Sequence, residues 1–168
     1  MKSKSVKKMI LAALFASINI AISSVAFITN FVPFQHTTNV IGAVFLGPTY
    51  NLAQAFISAT IRVFILGRPF TAYTGAVFGA VLSAVVCKKT KSLLGAALGE
   101  VFGTGVIGAL ISYYPMKYLF IYPSINLEHE PFWLFMPMWI PATITGSIVG
   151  LIILKILLSS KVFKNLLS

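Results

Sequence analysis

Charged side chains are scarce in this sequence, and acidic ones are almost absent. Only 10% of the 168 residues are charged and three of them are acidic, whereas hydrophobic types make up 58%. A soluble domain of this length has too little interior to hide so much apolar surface, which leaves the lipid bilayer as the alternative solvent. The apolar runs are long and lack the alternating polarity of barrel strands, so they predict an all-α integral membrane protein.

Cysteine and histidine are also too few for the chemistry that they usually support. The single cysteine, Cys87, excludes an intrachain disulfide and a zinc cluster. The two histidines, His36 and His129, are expected in outer loops, and no pair of metal ligands occurs at helical spacing. No Ser-His-acid arrangement is convincing either. We therefore expect no catalytic residue, no metal and no cofactor.

Positive charge is abundant but unevenly placed, with a net charge of +10. Its lysines precede the first apolar run, fill one short connection or lie towards the C-terminus: Lys2, Lys4, Lys7 and Lys8; Lys88, Lys89 and Lys91; Lys155, Lys161 and Lys164. This distribution is typical of cytoplasmic loops between membrane spans. It predicts contact with membrane lipid and no nucleic-acid partner.

Six helices are predicted from the apolar runs and their breaks, forming one transmembrane domain over residues 1–168. They are Met9 to Ile28, Thr38 to Leu46, Tyr50 to Leu66, Phe70 to Cys87, Leu93 to Tyr113 and Pro141 to Leu158. The connections include a loop from Thr29 to Thr37, a basic loop from Lys88 to Lys91, and a long segment from Tyr114 to Pro131 that precedes the aromatic stretch Phe132 to Trp139. The first run could be a cleaved signal peptide, but it is long enough to span, so we predict a retained helix.

Helix 2 is too short for an ordinary span of about 20 residues. If it crosses the membrane, the three lysine clusters fall on one side; if it does not, the Lys88 cluster moves to the other side. The positive-inside rule therefore favours six crossings with both termini in the cytoplasm.

Small residues recur at four-residue spacing on several predicted helices. The glycine sets are Gly95, Gly99 and Gly103; Gly75 and Gly79; Gly146 and Gly150. Such stripes allow close helix packing in lipid. Helix 1 has a similar row in Ala12 and Ala16 and another in Ala13, Ser17 and Ala21, which either pack within the chain or dock on a partner membrane protein. The pattern G-x-G-x-x-G at Gly103–Gly108 lies inside a helix, so it does not indicate nucleotide binding.

Two ionisable residues, Arg62 and Glu100, lie inside predicted spans, where such residues are functional candidates. Their expected depths differ by about 10 Å at 1.5 Å per residue. A direct ion pair would require a tilted or displaced helix. Arg62 is a candidate for ligand contact or structural pairing. Glu100 is a candidate for a structural or coupling role.

A second polar group, Gln35, His36 and Asn39, lies at the outer end of helix 2. If the helix already includes Gln35, then Gln35 and Asn39 share one face. With aromatic surface from Phe34 and Tyr73, these amide and imidazole groups suit a small neutral heteroaromatic ligand that carries a hydroxyl. The alternative is an interfacial loop with ordinary hydrogen bonds.

Several motifs in order and spacing resemble the ThiW family. They are Pro33-Phe34-Gln35-His36 with Asn39-Val40, Leu46-Gly47-Pro48, Ile61-Arg62, the segment from Tyr73 to Gly79-Ala80, and Gly99-Glu100-Val101-Phe102-Gly103-Thr104-Gly105. ThiW proteins are S components of energy-coupling factor (ECF) transporters, which implies a six-helix bundle of the S-component type in the plasma membrane.

The resemblance implies capture of hydroxyethyl-methylthiazole, the thiazole precursor of thiamine, at the outer face. The implied substrate-binding residues are Gln35, His36, Asn39, Arg62, Tyr73 and Glu100, and loop 1 would close over the ligand. The implied partners are a transmembrane T component, docked on Ala12 and Ala16, and two cytoplasmic ATPases that supply ATP hydrolysis. Replacing Gln35 or Asn39 by alanine should weaken binding without unfolding the bundle.

Three other functions stay open at this point. The ligand could be thiamine or its pyrimidine half, or the chain could be a membrane scaffold with no ligand. An intramembrane enzyme that uses His36 and Glu100 is disfavoured because the two residues are expected to lie far apart in depth.

Overall fold

The computed structural model describes residues 2–25, 34–118, 127 and 129–160. Loop 1 as far as Pro33, together with Glu128, Lys161 and Lys164, lies outside the described residues. Within these ranges the chain forms helices and no strand. The six helices are α1 (Lys2–Val25), α2 (Phe34–Phe45), α3 (Pro48–Phe64), α4 (Thr71–Thr90), α5 (Leu93–Tyr118) and α6 (Met136–Ser159).

Four of the described helices, α1, α4, α5 and α6, are long and apolar enough to cross a membrane. The other two are shorter, with 12 residues in α2 and 17 in α3. At 1.5 Å per residue α2 covers about 18 Å, well short of a hydrocarbon core of about 30 Å. The six-helix architecture is confirmed for this part of the chain, and the number of membrane crossings stays a prediction.

Several predicted boundaries were wrong. Helix α2 begins at Phe34 rather than Thr38, which places Gln35 and His36 on a helix and not in a loop. The basic loop does not begin at Lys88, because α4 continues to Thr90 and ends at Lys91, whose left-handed backbone (φ 55°) closes the helix. The lysines that follow the apolar run therefore do not mark the end of α4.

The other end of the bundle shows the same kind of extension. Helix α5 continues through Tyr118, so the segment from Tyr114 is helical although the sequence predicted a connection. Helix α6 starts at Met136, within the predicted aromatic stretch, and carries Pro141 in its interior.

At the start of α5 the Ser92 hydroxyl accepts from the N–H groups of Leu94 and Gly95, which defines the N-terminus of this helix as predicted.

Helix α2 is the most enclosed element and lies between α4 and α6, with α1 and α5 also against it. Ten of its twelve residues are buried. The Thr37 hydroxyl donates to the Gly146 carbonyl of α6 at 2.8 Å. A Cβ at Gly150 of α6 would come within 3.1 Å of Val40. Helix α2 is therefore the central element of the bundle, and its polar side chains can contact those of the neighbouring helices.

Helices α4 and α5 approach each other through glycines. A Cβ at Gly99 would lie 2.7 Å from the Leu82 carbonyl oxygen, and one at Gly103 would lie 2.7 Å from that of Phe78. Real Cβ atoms do not tolerate such distances to a backbone, so the glycines are required for this packing. The structure confirms the predicted role of the stripe in helix packing.

The middle of α5 departs from regular α-helical geometry. Residues Val101–Gly108 form a π-helical segment that begins immediately after Glu100 and contains Thr104. Such segments are rare and are frequently found at functional sites. The G-x-G-x-x-G pattern at Gly103–Gly108 coincides with the last six residues of this segment and not with a strand–turn–helix.

Candidate functional site

Polar side chains converge in the interior of the bundle, between α2, α3, α4 and α5. Their exposed fractions are very low, from 9% for Gln35 and 6% for Arg62 to 0% for Asn39 and Glu100. Buried polar groups are costly unless hydrogen bonded, and this is more so in a membrane protein. The partners of each group therefore show how the cluster is organised.

The cluster has a defined hydrogen-bond direction that starts at Arg62. Its Nη1 donates to Gln35 Oε1. A guanidinium can only donate, so this contact fixes which end of the Gln35 amide is oxygen. The Gln35 Nε2 atom is then the donor that faces the His36 Nε2 atom at 3.4 Å and the Gly75 carbonyl oxygen at 3.4 Å.

The tautomer of His36 follows from that direction. Because Gln35 donates towards Nε2, the proton of a neutral imidazole is on Nδ1. This Nδ1 lies 2.8 Å from Glu100 Oε1 and donates to it. The result is a relay, Arg62 to Gln35 to His36 to Glu100, in which every donor points the same way; we call it the Arg62–Glu100 relay.

Glu100 is the acceptor at the end of the relay. Its Oε1 atom also accepts from Asn39 Nδ2 at 3.2 Å and from Thr104 Oγ1 at 3.0 Å. The Thr104 hydroxyl belongs to the π-helical segment and also lies 3.1 Å from the Gly75 carbonyl oxygen. A side chain of α5 therefore donates to the Glu100 carboxyl from four residues further along the same helix.

A second group of amides reaches Glu100 through Asn39. The Asn39 Oδ1 atom accepts from Gln54 Nε2 at 2.9 Å, and its Nδ2 atom also donates to the Ala76 carbonyl at 3.1 Å. Asn51 Nδ2 donates to the carbonyls of Asn39 and Ala80 at 3.0 and 2.8 Å. The Asn39 side chain therefore joins α2 to three other helices, α3, α4 and α5. Contrary to the sequence-based expectation, its replacement by alanine should lower stability as well as binding.

Three buried polar atoms of the cluster have no hydrogen-bond partner in the described part of the chain: Arg62 Nε, Gln54 Oε1 and Glu100 Oε2. The Glu100 atom is closely packed, because a Cβ at Gly79 would overlap it. Arg62 Nε and Gln54 Oε1 are a donor and an acceptor of opposite polarity. The two residues are eight positions apart on α3, which is about 12 Å along the helix, so each atom is a separate unused function of the cluster.

Aromatic surface lies beside the relay at Trp139. A Cβ at Gly75 would come 3.2 Å from the Trp139 ring and 3.6 Å from Gln35 Nε2. Trp139 is half-buried and packs against Phe135, with ring centroids 5.8 Å apart. Trp133, which belongs to the same aromatic stretch of the sequence, is 49% exposed. The two tryptophans therefore have different environments, and only Trp139 lies next to the relay.

Tyr73 does not join the cluster. Its hydroxyl donates to Thr60 Oγ1 at 2.9 Å, and its ring packs against Phe56 and Phe70. Thus five of the six predicted substrate-binding residues lie in one connected network, and Tyr73 lies on a separate face of α4. It would reach a ligand only if the site extended past Gly75.

The predicted docking residues of α1 face inward. Ala12 and Ala16 are 5% and 3% exposed, and the same buried face continues through Asn19 and Ser23. The Asn19 side chain donates to Thr38 Oγ1 at 3.1 Å, which ties α1 to α2. Packing within the chain is therefore the role that the structure gives to Ala12 and Ala16. The second small-residue row, Ala13, Ser17 and Ala21, is exposed.

The expected separation of His36 and Glu100 was wrong. Helix α2 ends beside the start of α5, since Phe45 and Leu93 line the same cavity. Counting from that level, His36 lies about 13 Å up α2 and Glu100 about 10 Å up α5. The short length of α2 thus brings its first turn deep into the bundle. Arg62 and Glu100 make no direct ion pair among the described residues; Gln35 and His36 bridge the gap between them.

The sequence analysis missed the amides of α3, although a signal was present. Asn51, Gln54, Ser58 and Arg62 recur at intervals of three and four residues, which places them on one helix face. All four are buried. A polar stripe on an otherwise apolar helix could have identified this face.

No group of three His, Cys, Asp or Glu side chains that could hold a metal occurs in the described ranges. In comparison with known families, the model of the family described as thiamine-precursor transporter protein (ThiW) matches residues 9–160. Comparisons with curated proteins and with solved structures give no match.

Proposed function

The chain belongs to the ThiW family of thiamine-precursor transporters, and we propose that it is the substrate-capture (S) component of an ECF-type importer. Its proposed ligand is hydroxyethyl-methylthiazole, the thiazole precursor of thiamine, captured at the outer face of the plasma membrane. The observation that carries this proposal is the Arg62–Glu100 relay, a directed polar network in the middle of an apolar bundle.

The unused functions of the network fit this ligand. A thiazole nitrogen accepts hydrogen bonds, and Arg62 Nε is a buried donor without a partner in the described ranges. A hydroxyl both donates and accepts, which suits an amide such as Gln35. The flat ring has an aromatic surface available at Trp139. In this proposal Gln35, Arg62 and Trp139 contact the ligand, whereas His36, Asn39 and Glu100 orient them.

Charge argues against thiamine as the ligand. The described carboxyl inside the bundle, Glu100, already accepts three hydrogen bonds through Oε1, and its second oxygen is packed against Gly79. A cationic ligand would therefore find no accessible carboxylate in this network. A small neutral ring does not require one.

Transport then needs partners. We propose a transmembrane T component and two cytoplasmic ATPases, with six membrane crossings and both termini of the S component in the cytoplasm. The T component would dock on the exposed row Ala13, Ser17 and Ala21 of α1. This row is proposed as the docking surface in place of Ala12 and Ala16, which face inward. We propose no enzymatic step for this chain, because the hydrogen bonds of the relay already occupy both ring nitrogens of His36.

Uptake of labelled thiazole tests the importer role. Cells that cannot make or import the thiazole would express this chain alone, the T component with the ATPases alone, or all of them together. The proposal predicts ATP-dependent accumulation only when all are present. Accumulation by this chain alone would contradict the ECF mechanism, and accumulation without this chain would contradict its role as the capture subunit.

A further inference from the structure

A cavity of about 640 Å³ lies at the opposite end of α2 from Gln35, where α4 ends and where α3 and α5 begin. Its lining combines two kinds of surface. Lysines from two segments, α1 and the C-terminal end of α4, contribute positive charge, and apolar side chains from three helices form the wall: Lys8, Lys88 and Lys91, with Phe45, Leu93 and Leu158. We call this the basic cavity.

The charges of the basic cavity are not balanced by carboxylates of the described chain. The described acids are Glu100 and Glu130, and neither lines the cavity. Lys8 Nζ lies 4.0 Å from the position that a Cβ of Gly47 would occupy, so the α1 ammonium reaches the corner between α2 and α3. Three ammonium groups around one space repel one another, and an anionic occupant would relieve that repulsion.

The size and wall of the basic cavity restrict the kind of anion. A free phosphate would occupy only a small part of 640 Å³ and would leave Phe45, Leu93 and Leu158 in contact with water. A molecule with a phosphate beside an apolar segment satisfies both surfaces. A lysine cluster beside an apolar wall at the end of a membrane bundle is placed to meet phospholipid headgroups.

We propose that the basic cavity binds the phosphate of an anionic phospholipid, with Lys8, Lys88 and Lys91 around the headgroup and the apolar wall against the first carbons of an acyl chain. This inference does not rest on the transport function. It predicts a lipid site about as far from the Arg62–Glu100 relay as the length of α2.

Native mass spectrometry of the full chain in a neutral detergent tests the site. The probes are dioctanoyl phosphatidylglycerol, dioctanoyl phosphatidylcholine and inorganic phosphate. One variant carries Lys8→Gln, Lys88→Gln and Lys91→Gln. The matched control carries Lys4→Gln, Lys89→Gln and Lys155→Gln, which removes the same charge from lysines that do not line the cavity.

The wild type is expected to bind the anionic lipid at least about tenfold more tightly than the zwitterionic one. The cavity variant should lose most of that preference, and the matched control should keep it within about twofold. Failure of inorganic phosphate to compete would support the lipid as the source of the anion. Competition at low phosphate concentration would overturn the lipid proposal in favour of a soluble anion. Equal loss in both variants, or no preference in the wild type, would overturn the site itself.

Discussion

In the Arg62–Glu100 relay, the direction of each hydrogen bond determines how the next side chain is oriented. Arg62 can only donate, and that one restriction orients the Gln35 amide, selects the Nδ1–H tautomer of His36 and makes Glu100 Oε1 an acceptor. Each residue is thus placed by its neighbour, and a change at one position is expected to alter the others. Positions off the relay, such as Tyr73, lack this dependence.

Gln35 is the residue at which binding should be most sensitive. The variant Gln35→Ala removes the acceptor of Arg62 and the donor to His36, so affinity for the thiazole should fall about tenfold to a hundredfold. The control Tyr73→Phe removes only the hydroxyl that donates to Thr60, and affinity should stay within about twofold. Titration of both purified variants measures this. Equal affinity in wild type and Gln35→Ala would exclude Gln35 from the site.

Glu100 should act through its acceptor oxygen more than through its charge. The variant Glu100→Ala leaves His36 Nδ1–H and one N–H of Asn39 without an acceptor, whereas the Thr104 hydroxyl keeps the Gly75 carbonyl. Stability should fall by about 3 kcal/mol. Glu100→Gln keeps one acceptor oxygen and should lose about 1 kcal/mol. Thermal melting of both variants in the same detergent makes the comparison. A glutamine variant as unstable as the alanine variant would contradict this assignment.

At the scale of helices, close backbone contact between α4 and α5 determines where the relay lies. Gly99, Gly103 and Gly108 allow α5 to contact the backbone of α4, and Gly79 leaves room for Glu100 and Thr104. The four-residue spacing of Gly99 and Gly103, and of Gly75 and Gly79, predicted close helix packing, whereas Gly108 was not part of a predicted set. The spacing did not predict the π-helical segment, because a register change in a helix depends on tertiary contacts that a repeat of small residues does not encode.

Gly103 provides the test at this scale. The variant Gly103→Ala places a methyl 2.7 Å from the Phe78 carbonyl oxygen and 2.8 Å from the Gly79 Cα atom. Since neither atom can move without its helix, overpacking should cost about 1–3 kcal/mol. Gly95→Ala is the matched control, because its methyl meets mainly the Thr90 side chain, which can rotate. Melting curves that shift equally for the two variants would contradict the proposed close contact.

At the scale of the whole molecule, the sequence best predicted the properties that depend on amino-acid composition and on the spacing of residues along a helix. The apolar runs predicted the helices, and the resemblance of the chain to the ThiW family is confirmed by the family match over residues 9–160. The relative depths of His36 and Glu100 were not predictable, because they depend on how far the short α2 extends into the bundle. The inward face of α1 was equally ambiguous, since two small-residue rows compete for it.

Membrane topology is the prediction that belongs to the molecule as a whole. In a Cys87→Ala background, we expect a cysteine at Lys89 to be protected from an impermeant maleimide in intact cells, because the positive-inside rule predicts that the lysine-rich end faces the cytoplasm. A cysteine at Tyr118, which is 70% exposed at the far end of α5, should be labelled. Labelling after membrane permeabilisation is the control for accessibility. The reverse pattern would invert the proposed orientation.

Calorimetric titration of the purified, detergent-solubilised chain measures whether the protein selectively binds the thiazole precursor. Hydroxyethyl-methylthiazole would be titrated beside thiamine and the pyrimidine half under identical conditions. We expect saturable one-to-one binding of the thiazole, at least about tenfold tighter than binding of either control ligand. No binding by a folded sample, or tighter binding of thiamine or the pyrimidine, would contradict this expectation.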